Sequence, residues 1–401
     1  MVVRRRAGAS SLPLWMGGAV VLLPRMEGWP SSATLPFNVG CRCAVQPCFG
    51  FAPECARPAA SVGPVLPPSP MEAVVIVSIQ YLRALAAAMV VLHHQMDHVR
   101  HHAPIPALLE NANSGVDIFF VVSGFIMWHT TAGQNVGSLT FLKRRAERIV
   151  PLYWLTSLAM FFMPLVSGTI AGSTVMDPWH LVASLLFIPR ETPGLSGQFF
   201  PTYVPGWTIN FEMYFYAVFA ACLWIRNEQR RLMAIAATLV AVVIVGQWSS
   251  GPTGWGAYAR WYGAPIVLEF LLGVLLAAWS GGPRTVKPQL AFLLIGAGFA
   301  AILLIPVAAH QGPMRLVTVG LPAAALVAGA VALERHGLVG QYPVPRLLGD
   351  ASYALYLTHL FAIGAVAVAW SKLGLWSLPG GIAAYLAVAT VAAVALAVAA
   401  Y

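Results

Sequence analysis

From about residue 73 onward, hydrophobic positions come in blocks close to the roughly 20 residues that a helix needs to cross a ~30 Å hydrocarbon core. Such blocks are read at 73–95, 115–132, 150–170, 206–225, 232–249, 263–280, 289–309, 316–333, 351–371 and 380–401, with short polar connections between them. The expected fold is all-α, a polytopic membrane helix bundle of about ten transmembrane helices. The run HLVASLLFIP at 180–189 is too short to span and is expected to be re-entrant or interfacial.

Residues 1–70 break the pattern, mixing Pro, Gly, Ser and Cys without helical or strand periodicity. They read as a low-order N-terminal extension, ahead of a membrane domain over 71–401. Met71 opens MEAVVIVSIQYLRAL, a suitable start for a first spanning helix, so the preceding stretch is read as upstream sequence behind a misplaced start. The alternative is a signal-like segment, since RRR is followed by LPLWMGGAVVLLP. Cys41, Cys43, Cys48 and Cys55 in this stretch follow C-x-C-x4-C-x6-C, which lacks the paired C-x2-C of a zinc site, and no metal is expected.

Composition sharpens the membrane reading: 59% of the 401 residues are hydrophobic and 9% are charged. The net charge of +9 does not point to nucleic acid, because the basic residues fall in short clusters between apolar blocks and form no stripe on one domain. Lys143, Arg144, Arg145 and Arg148 lie in the second connection, Arg226, Arg230 and Arg231 in the fourth, Arg284 and Lys287 in the sixth. The odd connections are nearly neutral. Lys and Arg are retained on the cytoplasmic side, so the even connections and both termini are expected inside.

Ionisable groups at bilayer depth are costly and ask for a partner, a water-filled cavity or a function. Five stand out: Arg83, His94, Asp117, Glu212 and His359. Arg83 and His94 are eleven residues apart, which at 100° per residue leaves them about 20° from a common line and roughly 16 Å apart along the helix. His93 lies about 80° off that line, so geometry selects His94, while both imidazoles also suit a water boundary at the helix end. Asp117 opens the second span on the side where the first ends. It is read either as a partner that orients His94 or as an acid placed in the first turn of its own helix.

Glu212, crowded by Trp207, Phe211, Tyr214 and Tyr216, is either the counter-charge of Arg83 or a contact for a substrate hydroxyl. His359, mid-way along the ninth span, is either a satisfied core histidine or a second pocket group. Arg145 and Arg148, at i and i+3, suit phosphate oxygens if they share a helical face, although a basic connection is also the ordinary orientation signal. No G-x-S-x-G, Walker, H-E-x-x-H or C-x2-C motif is present.

In order, IQYLRALAAAMVVLHH, GVDIFFVVSGFIMW, FLKRRAERIVPLYWL, VPGWTINFEMYFY and SYALYLTHLF resemble the integral-membrane acyltransferase-3 family, especially its bacterial exopolysaccharide O-acetyltransferases of the succinoglycan type. The resemblance implies an acyltransferase of the bacterial inner (cytoplasmic) membrane. It would move acetyl from cytoplasmic acetyl-CoA to a sugar hydroxyl of an exopolysaccharide or a lipid-linked glycan, with no metal. The family's arginine-x10-histidine motif falls on Arg83 and His94, and its R-x-x-R, implicated in holding the acyl donor, on Arg145 and Arg148, with Arg144 beside them. Asp117, Glu212 with Trp207 of the W-x4-E motif, and His359 match further family positions. These matches imply Arg83, His94 and Asp117 as catalytic, the three arginines as donor-binding, and Trp207, Glu212 and His359 as acceptor-binding. Relatives usually continue past the tenth span, so the C-terminus is expected to be truncated. The alternative from another class is a transporter or flippase for an acylated glycan or lipid, without chemistry; against it, no convincing internal repeat is visible.

Overall fold

Ten helices occupy the ten apolar blocks, and the connections add five shorter ones, in the computed structural model, which describes residues 76–195, 197–251, 254–282, 285–306 and 312–401. The N-terminal extension, its four cysteines, the start at Met71 and Arg284 lie outside the described residues. In chain order the helices are α1 (Val77–Val99), α2 (Ala107–Glu110), α3 (Gly115–His129), α4 (Ser138–Phe162), α5 (Gly168–Ala171) and α6 (Pro178–Leu185). There follow α7 (Gly206–Cys222), α8 (Glu228–Trp248), α9 (Gly254–Tyr262), α10 (Val267–Ser280) and α11 (Pro288–Leu304). The last are α12 (Leu321–Arg335), α13 (Pro343–Asp350), α14 (Ser352–Lys372) and α15 (Gly381–Ala400). Among the described residues there is no strand, only an isolated bridge between Thr192 and Leu195.

Among the described residues, six segments are long and apolar enough to cross a membrane: 138–165, 228–248, 254–280, 316–335, 352–372 and 381–400. The expected count of about ten is therefore not carried by these criteria. α3 and α7 are only 15 and 17 residues long, about 22 and 25 Å, and α1 carries an arginine and histidines. Such helices are sustained by protein neighbours: every residue of α3 except His129 is buried. The 180–189 run is largely taken up by α6, capped by Asp177. The amides of His180 and Trp179 donate to that carboxylate at 3.2 and 2.9 Å and hold its pKa below the usual carboxylate range.

Two boundaries shift in ways that matter. α4 begins at Ser138, so the basic stretch is the first half of a helix and not a loop. Its Leu, Lys, Arg, Ala and Glu residues are good helix formers, and the helix continues through Pro151. α1 runs on to Val99, beyond the expected end at 95, which carries His93 and His94 away from the helix terminus.

α3 packs along α10 at backbone distance. A Cβ at Gly124 would meet the Phe270 carbonyl oxygen, and one at Gly273 the Val121 carbonyl oxygen, so only glycine permits this crossing. α1 lies against α3, α12, α13, α14 and α15, with α14 in turn packed on α15. The start of α1 is held by a side chain from α12. Glu334 accepts from Val77 N at 2.7 Å, Ser78 N at 2.8 Å and Ser78 Oγ at 2.5 Å, which satisfies orphan amides and places negative charge at the positive helix end. Glu334→Ala is expected to lower stability by about 1–3 kcal/mol, read as a lower thermal midpoint of the purified protein. An unchanged midpoint would mean that water replaces the carboxylate without loss.

Candidate active site

α1 presents its polar residues toward the bundle. Arg83 is fully buried; it donates from Nη1 to Gln80 Oε1 and from Nη2 to Ser352 Oγ, 2.7 Å away at the start of α14. Arg148, Asp350 and Glu212 lie within electrostatic reach of the guanidinium. Glu212 does not form the expected direct pair with Arg83. Its Oε1 accepts from Ser123 Oγ at 3.0 Å and from Tyr216 Oη, one turn further along α7, because that face of α7 is turned toward α3 and α4. Its Oε2 is buried with no hydrogen-bond partner among the described residues.

Arg145 and Arg148 both turn inward from α4, while Arg144 points out and is exposed. The Arg145 guanidinium lies 5.3 Å from the Phe141 ring centroid and 5.9 Å from that of Tyr216. Both inward arginines stand within electrostatic range of Glu212. The Nε atoms of Arg145 and Arg148 are buried without an acceptor among the described residues. A donor set of this kind fits phosphate oxygens. Of the three arginines assigned to donor binding, the fold brings two together and leaves Arg144 outside.

At the other end of this polar face, His94 Nδ1 is 3.5 Å from Asp97 Oδ2, and its ring centroid is 5.0 Å from that of His359 on α14. Asp117 is not its partner. Asp117 accepts a hydrogen bond from Arg315 Nη2 at 2.7 Å, and Arg315 Nε lies 3.9 Å from Glu269 Oε1 on α10. The cause is packing: the α3–α10 crossing sets Asp117 and Glu269 on a common side. A π-helical turn at Leu316–Gly320, which packs on Glu269, carries Arg315 to both. Asp117 and Glu269 are wholly buried, and the arginine is what makes their burial tolerable.

His93 is also not at a water boundary. It is 3% exposed, against 12% for the His94 side chain, because the helix continues beyond it. His93, His94 and Asp97 each bring one ligating atom within 4.8 Å of the others. A tetrahedral ion with bonds near 2.0–2.1 Å needs ligand atoms about 3.4 Å apart, and neighbouring helix positions diverge by about 100°. The 4.8 Å bound on this trio is looser than that spacing.

Trp207 is wholly buried among Phe200, Phe211 and Trp261, with its Nε1 lacking an acceptor among the described residues. Tyr356 Oη bonds to Pro205 O at 3.0 Å and to Thr208 Oγ1 at 3.1 Å, which ties the start of α7 to α14 beside His359. Sequence reasoning missed Asp97, Glu269, Arg315 and Ser352. Glu269 had a signal, as an acid inside the apolar run IVLEFLLG; Arg315 stands between apolar blocks, where a cation signals only topology, and Ser352 carried none.

The profile of the acyltransferase-3 family, described as an acyltransferase domain, matches residues 76–401. The chain is similar to the exopolysaccharide production protein ExoZ of Rhizobium meliloti (strain 1021), 39% identical over 291 residues covering 71% of this chain and 85% of the relative. It is also similar to nodulation protein 10 of Rhizobium leguminosarum bv. viciae, 27% identical over 339 residues, with 72% and 83% covered. No solved structure matches. A helical bundle with apolar segments long enough to cross a membrane, a buried arginine–histidine face and a family match along its whole described length lead to one conclusion: the chain belongs to the acyltransferase-3 family and is a membrane acyltransferase.

Proposed function

We propose that the protein takes an acetyl group from cytoplasmic acetyl-CoA and places it on a sugar hydroxyl of an exopolysaccharide or its lipid-linked precursor. The observation that supports this reading is the pairing of two chemistries within one bundle. Two inward arginines with unsatisfied Nε atoms stand near one end of the α1 polar face, and two imidazoles stand at the other. Arg145 and Arg148 would hold the donor's phosphates, and the positive-inside rule puts them, with both termini, on the cytoplasmic side of the inner membrane. The thioester supplies an activated acyl group. His94 takes the proton of the acceptor hydroxyl, or carries the acetyl briefly, and Arg83 steadies the negative charge that develops on oxygen. Glu212 and Trp207 offer unsatisfied polar atoms to a hydroxyl-rich acceptor, and the His359 ring stands beside that of His94. The name of the ExoZ relative supports exopolysaccharide as the acceptor class, and membership of an acyltransferase family favours chemistry over transport.

The test uses membranes from an expressing strain and a deletion strain, radiolabelled acetyl-CoA, and mass spectrometry of the surface polysaccharide. Label should enter glycan only in the expressing strain, and deletion should remove O-acetyl while export continues. Export lost together with the acetyl group would favour the transporter. Within the same assay, Arg145→Ala and Arg148→Ala should each raise the KM for acetyl-CoA by about 10-fold or more, the weight of a lost charged hydrogen bond, while Arg144→Ala leaves it unchanged. Equal effects at all three positions would refute the division between inward and outward arginines.

A further inference from the structure

His359 is fully buried mid-way along α14, and its Nδ1 lies 3.1 Å from the carbonyl oxygen of Leu355, one turn back. A carbonyl only accepts, so Nδ1 carries the ring proton and Nε2 of the neutral ring presents a bare lone pair. No donor among the described residues reaches that nitrogen. A buried acceptor left without a donor is costly, and such atoms call for a functional explanation. The nearest aromatic ring to it is that of His94, with ring centroids 5.0 Å apart.

We propose that the acceptor's proton is held by the imidazole pair and not by His94 alone, with His359 Nε2 taking over the proton that His94 abstracts. This rests on the acetyl-transfer reading above. In the step, the acceptor O–H bond breaks and its proton passes to His94 and on, through one bridging water, to His359. The oxygen bonds to the acyl carbon, the carbon–sulfur bond of the thioester breaks, and the departing thiolate finally receives the proton. The pair leaves His94 uncharged at the moment the new ester forms, which favours release over return of the proton. His359 thereby acts through His94 as a positioning residue for the proton.

Few other titratable groups compete for this proton. From α1, His94 and His93 face His359, with Asp97 behind His94. Tyr356 lies 5.9 Å away on α14 itself, Tyr203 stacks on Phe361 at 5.7 Å, and Tyr385 of α15 faces His98 at 6.3 Å. α4 brings Arg148 and Tyr153 near Tyr353, at the start of α14. α5, with the sequence GTIA, brings none.

The test is His359→Gln, which keeps side-chain volume but cannot accept a proton as a base, assayed in membranes with labelled acetyl-CoA. kcat should fall by about 10- to 100-fold with the KM for acetyl-CoA unchanged. The deficit should shrink as pH rises from about 6 to 9, because hydroxide in solvent becomes an alternative acceptor for the proton that His359 no longer takes. A kcat within about threefold of wild type, or a deficit of the same size at every pH, overturns the proposal. Nitrogen-15 spectra of histidine-labelled protein decide the proton's place independently of the donor, and a protonated Nε2 on neutral His359 also overturns it. Wild-type membranes that incorporate no label would count against the acetyl-CoA reading, with the spectra still deciding this one.

Discussion

His94→Ala is expected to abolish acyl transfer while the protein stays folded and inserted. Loss of a positioned general base typically removes 10²–10⁴-fold of rate, and about 3–5 kcal/mol of barrier goes with it. The His94 side chain keeps 12% exposure and stands 3.5 Å from Asp97 Oδ2, so folding has to be read alongside activity. Labelled acetyl in glycan, measured beside the thermal midpoint of the same preparation, separates the two effects. Activity within about tenfold of wild type, in protein that melts normally, would remove His94 from the chemistry.

Arg315→Ala is expected to be the most destabilising single change away from that axis, at about 3–5 kcal/mol, because it strands Asp117 and Glu269 as two buried carboxyl groups without a cation. The loss should come from uncompensated charge and not from the missing side chain. Adding Asp117→Asn and Glu269→Gln to Arg315→Ala should therefore recover most of the stability, which a thermodynamic cycle on the purified protein can measure. If the triple variant is as unstable as the single one, Arg315 matters for packing and the ion triad is incidental.

Much of the arrangement is legible along the chain, and the exceptions have a common cause. Apolar blocks mark every long helix, and helical spacing alone puts Arg83 with His94 and Arg145 with Arg148. Local periodicity can do this because each pair sits on one helix. It cannot find partners on other helices: of the two readings of Asp117, an acid in the first turn of its own helix is local and holds, while a partner for His94 fails because its cation is Arg315, 198 residues away. Of the two readings of Glu212, the direct pair with Arg83 fails for the same reason, since its hydrogen-bond donors are Ser123 and Tyr216. His93 was set at a boundary because the apolar run stops before the helix does. Glu269 is different: an acid within an apolar block was readable as unusual, and only its neighbours were hidden.

The hydrogen bond from Arg83 to Ser352 spans 269 residues, and the carboxylate that caps α1 lies 256 or more residues downstream of the amides it holds. At a synthesis rate of about 5–20 residues per second, roughly 15–50 s pass between the making of Arg83 and of its partner. During that interval Gln80, on the same helix, is the hydrogen-bond partner already made. An arginine at the centre of a lone spanning helix costs about 2.5–3.5 kcal/mol to insert, and Arg83, nearer the start of α1, meets a smaller part of that cost. Insertion of α1 therefore relies on its own apolar face, and its final seating waits for α14. The same residues that form the reaction axis thus make it one of the last parts of the protein to be completed.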